Sequence, residues 1–395
     1  MDPSSQAVGG AERMIQNPAG IIAVLILIEG VVLFLSENPR LERFFKFPPA
    51  LFWIYFLPML ASAVGLIPRD SEIYSKITIT LLPAGLVLLL VSTDIPSILR
   101  LGKMALVMMS VGTLGIVMGA PLTVAVLKPW LPADAWSGFG ALSASWIGGS
   151  SNMIAVKEAI GTPDAVFFPM IVVDTVVAYS WMGFLILLAG FQDKIDRWTR
   201  ADRSRLSELA SKDLGASSFS KRIDPKSLFL VLAAGFGGAW ISQSIAEIFF
   251  NGAFIGVIIL ASTLGITWSF TTLRYLGERG APRIGYLLLF FVLTSIGARA
   301  NLAGIFSSPV FILGGFLMVA FHGSLLLLLA KMFRVPLGLV AAASQANIGG
   351  PASAPIVGAA YAPCLAPVGL LLGILGNVLG TYLGLLTSLF CKWVS

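Results

Sequence analysis

The sequence is poor in the residues on which most chemistry and most soluble surfaces depend. Its 395 residues hold 12% charged side chains, one histidine and two cysteines, whereas a soluble domain carries about 25% charged residues. Cys364 and Cys391 lie too far apart for a metal-ligand spacing, and both flank apolar sequence, which reads as buried, inert thiols. No phosphate-binding Walker loop, no His-Glu-x-x-His helix and no Gly-x-Ser-x-Gly elbow occurs. Without a reactive constellation the expectation is a protein that is not an enzyme and needs no cofactor. The start, "MDPSSQAVGGAERMIQNPAG", lacks the basic flank and short apolar core of a cleavable signal, so the first apolar run is expected to remain as a span.

What the chain has in abundance is apolar length. Hydrophobic residues make up 57%, and runs long enough to cross a hydrocarbon layer of about 30 Å recur at about 19–35, 48–66, 76–97, 101–127 and 164–191, then at 227–249, 251–270, 284–302, 309–331 and 365–391. The expectation is an all-α polytopic membrane protein whose lipid bilayer is its solvent. One hydrophilic segment, residues 192–226, separates the two sets and reads as a linker. The net charge of +6 suggests nucleic acid at first sight. However, the basic residues cluster in short loops between apolar runs, where membrane orientation explains them and nucleic-acid binding is discarded.

The two sets look like copies. "LASAVGL" (60–66) matches "LASTLGI" (260–266), and "SASWIGGSSNMIAVKEAIG" (143–161) matches "SQANIGGPASAPIVGAA" (344–360), with Ile147-Gly148-Gly149 on Ile348-Gly349-Gly350. The same shift places Thr93 on Thr294. Near-constant shifts joining three separate regions point to internal duplication. If each Gly-Gly stretch dips in and returns, each half has five spans and the second copy is inverted. With both termini outside, almost all basic residues then fall in cytoplasmic loops, including Arg40, Arg43, Lys46, Arg100, Lys103, the 192–226 linker, Arg274, Arg279, Arg283, Lys331 and Arg334. The other arrangement left open is a broken helix that crosses.

A backbone that leaves helical geometry inside hydrocarbon must be covered by protein or water. Two such breaks, brought together, aim terminal N–H groups and carbonyls at one point near the midplane. The expected substrate- and ion-binding residues are therefore Ser143, Gly148, Gly149, Ser150, Ser151 and Asn152 at the first break. At the second they are Ser344, Gln345, Asn347, Gly349, Gly350 and Ser353, with Thr93, Thr294 and Ser295 as further oxygen ligands. Asp174, deep in "FFPMIVVDTVVAYSW", is the expected coupling residue, with Asn377 its approximate counterpart. Asp94 sits near a span end, where solvation competes with a coupling role. Na⁺ is a candidate ion, held by Asn152, Asp174 and Asn347. Lys157 and Glu158 read either as a local pair or as contacts to an acidic substrate. Glu29 and His322 read as interhelical hydrogen-bonding groups, and Trp130, Trp136 and Trp393 as interface anchors.

The motifs "ASWIGGSSNMIAVKEAIG" and "SQANIGGPASAPIVGAAY" resemble those of the DUF819 (YjcL-like) family of bacterial and plastid membrane proteins. That family resembles the wider group of cation/proton antiporters, bile-acid-type symporters and glutamate and citrate symporters. The resemblance implies inverted repeats over 1–191 and 227–395, each split into scaffold (about 1–67 and 227–270) and core (about 76–191 and 284–395), working by an elevator movement in a homodimer. It implies a plasma or inner membrane, or a plastid membrane in a plant. The paired acidic residues of proton antiporters are missing, since Asn377 stands opposite Asp174. Symport of a small polar or anionic organic solute (an organic acid, amino acid or short peptide) with Na⁺ or H⁺ therefore leads. A cation/proton antiporter and a passive channel are the alternatives.

Overall fold

The computed structural model describes residues 15–41, 44–45, 48–202, 204, 223–300 and 308–395, so Arg43, Lys46 and most of the hydrophilic linker lie outside it. The described residues are helical throughout their ordered elements. The first half runs through α1 (Pro18–Ser36), α2 (Ala50–Ala63), α3 (Glu72–Val91), the short α4 (Ile95–Leu99), α5 (Lys103–Leu127), α6 (Ala135–Gly148), α7 (Ser150–Ile160) and α8 (Asp164–Ala189). After α9 (Gln192–Thr199), the second half runs through α10 (Pro225–Phe250), α11 (Phe254–Ser269), α12 (Ala281–Arg299), α13 (Ser308–Phe333), α14 (Leu337–Ile348), α15 (Gly350–Tyr361) and α16 (Leu365–Val394).

Local chemistry sets the starts of several spans. Asn17 accepts the Ala19 N–H and is followed by Pro18, so α1 begins with a capped first turn and a proline that costs it no hydrogen bond. Ser71 caps α3 and Asp224 caps α10 ahead of Pro225. The Ser227 backbone N–H, then its hydroxyl, holds the exposed Asp224 carboxyl below its ordinary range.

Among the described residues eight helices are long and apolar enough to cross a membrane. They are α1, α3, α5, α8, α10, α12, α13 and α16. The remaining expected spans, α2 and α11, have 14 and 16 residues. At 1.5 Å per residue they reach only about 21–24 Å.

Both Gly-Gly stretches are helical hairpins. The Thr162 hydroxyl, just after α7, donates to Ser137 O near the start of α6 at 3.4 Å. Gly338, near the start of α14, lies against the side chain of Tyr361 at the end of α15. Each pair of arms therefore starts and finishes at one level. Arms of 11 to 14 residues span about 16–21 Å, which takes the tips into the protein without crossing it. This decides between the two arrangements that the sequence left open.

The hairpins enter from opposite ends of the bundle. At one end Asp94 pairs with Arg274 (3.2 Å), Asp196 of α9 accepts the Leu337 N–H at the mouth of the second hairpin (2.8 Å), and the Tyr361 O–H donates to Leu185 O. At the other end Lys157 and Glu158 of the first hairpin meet Asp164 and Arg299, while Lys128 reaches Val394 O.

Two packed groups result. α3 lies against α10, α11 and α12, and α2 packs on α12 and α1. The hairpins pack with α5, α8, α13 and α16. The expected core boundaries at 76 and 284 differ from this grouping, because α3 and α12 bury their apolar faces on one another: Gly85 and Gly285 let the two backbones come close.

Candidate functional site

The two tips meet on α16. Its glycines at 369, 373, 376, 380 and 384 recur at intervals of three and four, one face of a helix. A side chain at Gly369 or Gly373 would strike Ala354 O or Pro351 N of the second hairpin. One at Gly376, Gly380 or Gly384 would strike Ile147 O, Gly148 or Ala144 of the first. Small residues at such spacing allow helix backbones to approach without a hydrophobic drive between them. Gly149, at φ +83°, makes the turn between α6 and α7, and Gly350, at φ +61°, begins α15; both conformations strain any residue with a Cβ.

Between the tips, α8 and the start of α2 lies a cavity of about 250 Å³. Ser145, Gly149 and Ser150 line it from the first hairpin, Gln345, Gly349 and Ser353 from the second, and Asp174, Thr175 and Tyr179 from α8. Among the described residues, Asp174 is the one carboxylate on its wall. Both of its oxygens accept the Ser145 hydroxyl at 3.1 Å, and Oδ1 also accepts the Trp146 indole N–H at 2.9 Å. These donors belong to the arm leading into the first tip, so the tip and α8 are tied through the acid. Gln345 is 1% exposed and commits its amide N–H to Ser353 Oγ at 2.8 Å. Its Oε1 is buried without a hydrogen-bond partner among the described residues. The first turn of α7 opens on the same space, and the N–H groups of Ser150 and Ser151 have no earlier carbonyl within their helix.

Of the residues expected at the site, Gly149, Ser150, Asp174, Gln345, Gly349 and Ser353 come together here. Gly148 packs beneath the first tip against α16, and Gly350 turns the second. Asn152 and Asn347 do not line the cavity. Asn152 donates to Gly148 O and Asn377 O and accepts the Thr381 hydroxyl, pinning the first hairpin to α16. Asn347 donates to Met109 O and Ala343 O and accepts the Thr113 hydroxyl at 2.8 Å, pinning the second to α5. The Na⁺ set of Asn152, Asp174 and Asn347 is thus not brought together on one wall. Ser143 back-bonds to Phe139 O, Thr294 to Phe290 O and Ser295 to Val292 O, all within their own helices. Ser151 is buried. Ser344 joins the Trp181 N–H to His322 Nε2, whose Nδ1 faces Gly112 O.

Thr93 and Asn377 line a second cavity of about 240 Å³ with Tyr286, Pro351 and Ile374. Asp94 caps α4 through Ser97 and pairs with Arg274, an exposed structural role. Lys157 and Glu158 do form a local pair, at 2.6 Å, which Asp164 and Arg299 extend. Glu29 is buried with one oxygen unpartnered among the described residues. Trp136 sits under Lys392, and Trp130 and Trp393 are exposed at the same end. Sequence reasoning missed Ser145, Trp146, Thr175 and Tyr179. The first two stand one residue ahead of the Gly-Gly step, separated from it by Ile147, where the periodicity of α6 would have turned them toward α8.

The family described as "Protein of unknown function (DUF819)" matches residues 23–394. The chain belongs to the DUF819 family. It is also similar to the "Uncharacterized membrane protein YjcL" of Bacillus subtilis (strain 168), 25% identical over 308 residues that cover 75% of this chain and 78% of the relative. Membership in DUF819, a membrane-protein relative and eight apolar helices of spanning length make this a multi-pass membrane protein.

Proposed function

We propose that this DUF819 protein is a secondary active transporter that moves a small polar organic solute together with a cation, by alternating access. The observation that carries the reading is a lone, half-buried carboxylate, Asp174, at the meeting point of two hairpin tips inserted from opposite ends. A carboxylate in a membrane interior is costly unless it has work to do. Re-entrant backbone at this depth is tolerated where it lines a cavity. Discontinuous helices that meet at a midplane cavity are the recurrent binding device of secondary transporters.

In this reading Asp174 takes up the coupling cation, a proton or Na⁺, and releases it on the other side. The hairpins, α5, α8, α13 and α16 move against the group built on α3, α10, α11 and α12. The end bearing α9, Arg274 and Lys331 faces the cytoplasm by its basic loops, and both termini face outward. Uptake by the purified protein in proteoliposomes, with a Na⁺ or H⁺ gradient imposed, tests the proposal. Asp174→Asn should abolish gradient-driven accumulation while the protein melts as wild type does. Downhill flux that ignores both gradients would replace the transporter by a channel.

A further inference from the structure

The walls of the tip cavity have two poles, and the chemistry of each restricts what can occupy it. The negative pole consists of Asp174 and Gln345. Asp174 already accepts every hydrogen bond that Ser145 and Trp146 offer, and in its ionised form leaves a charge for a cationic group to meet. Gln345 is 99% shielded, its amide N–H is engaged by Ser353, and its Oε1 has no partner among the described residues. An orphaned buried acceptor calls for a donor, and Gln345 is itself a residue of the cavity wall.

The positive pole is backbone. α7, an 11-residue helix, starts at the cavity wall with Ser150, whose N–H and that of Ser151 have no carbonyl within the helix to meet, while the Gly149 N–H is taken by Ser145 O; α15 begins at the other tip with Ala352 and Ser353 on the wall. Helix N-termini carry a partial positive charge that favours a carboxylate. No lysine, arginine or histidine is among the described residues of the wall, so this pole is too weak to hold a dianion beside Asp174.

We propose that the solute is a small zwitterionic amino acid. Its ammonium group donates to Asp174, which it shares with the coupling cation, and to the Gln345 amide oxygen; its carboxylate lies at the start of α7. The zwitterion adds no net charge, so the coupling cation still balances that of Asp174. The proposal rests on the transport reading and names the substrate class of that same site. A monocarboxylate without an amine would face Asp174 unneutralised, and an amine without a carboxylate would leave the N–H groups of the tip unmet. A volume of about 250 Å³, below the roughly 300–1,000 Å³ of drug-sized sites, suits a single residue rather than a peptide.

The test uses the full-length protein in lipid nanodiscs, in choline and in Na⁺ buffer. Thermal unfolding and calorimetry are run with glycine, L-alanine, L-serine and L-aspartate, and with the analogues propionate, ethylamine and N-acetyl-L-alanine. A ligand that binds only the folded state raises its stability with concentration. The expected result is binding of at least one amino acid that is tenfold or more tighter than any analogue lacking a free amine or a carboxylate. Gln345→Leu should weaken that amino acid by tenfold or more. The analogue series uses the wild-type chain, so it stands even if a variant fails to fold. Equal or tighter binding of propionate overturns the proposal, in particular if it requires Na⁺, because the negative pole would then belong to the metal ion. No shift with any of the four amino acids also overturns it. Gradient-driven accumulation of another solute in proteoliposomes would then leave the transport reading standing, whereas absence of all such flux would remove that reading instead.

Discussion

Asp174 and the two asparagines show how differently a polar side chain can be used within one membrane interior. Asp174 stood out in the sequence as an acid in the middle of an apolar run, and the structure places it on the cavity wall. Asn152 and Asn347 were legible as unusual but not as to role, because polarity beside a helix break does not say which way the side chain turns. In the structure both turn inward and are saturated with protein partners. The consequence is a stability effect: Asn347→Ala removes a fully buried amide and leaves the Thr113 hydroxyl without its acceptor. The expected cost is about 1–3 kcal/mol, read as a lower unfolding temperature in detergent. Ligand affinity of the surviving folded protein should stay close to wild type. For Asp174→Asn the order reverses, with stability kept and coupling lost.

At the level of elements, the hairpins and the long spans could be read from Gly-Gly steps, flanking serines and apolar run lengths. The shortness of α2 and α11 could not, since their apolar runs extend past the helix ends into turns such as Val64–Gly65. Nor could the grouping of α3 with α12, because two apolar helices in lipid carry no mark of which neighbour they choose; the small residues that permit the contact, Gly85 and Gly285, are spread among many others. The glycine face of α16 is a sharper case, because each position has a named backbone opposite it. Gly376→Ala would drive a methyl group into Ile147 O at the first tip. The cost of such overpacking is about 1–3 kcal/mol, with loss of uptake. Gly183→Ala in α8, where a Cβ meets nothing, should change neither melting temperature nor transport. Equal melting of the two variants would refute the account of α16 as the seat of both tips.

On the scale of the whole molecule, contacts between the two packed groups are sparse, and one of them is ionic. Glu158 on the first hairpin pairs with Arg299 at the end of α12 at 3.1 Å, while Lys157 and Asp164 stay within the hairpin group. In the transport reading proposed above, this pair is expected to favour the position of the hairpin group seen in the structure, and breaking it should shift that position. With Ser353→Cys as a reporter on the cavity wall, Arg299→Gln is expected to change the rate of thiol labelling at least twofold, and a Glu158→Arg, Arg299→Glu exchange should restore it. Unchanged labelling in Arg299→Gln would mean that the pair only decorates the surface. The seating of both tips on α16 has a further consequence. A route that opened by parting the tips would have to tear each from the same helix, so both tips and α16 are expected to stay together as one unit. In the transport reading proposed above, the cavity would then open and close at its remaining wall, the start of α2 at Pro49 and Leu51, which belongs to the other packed group.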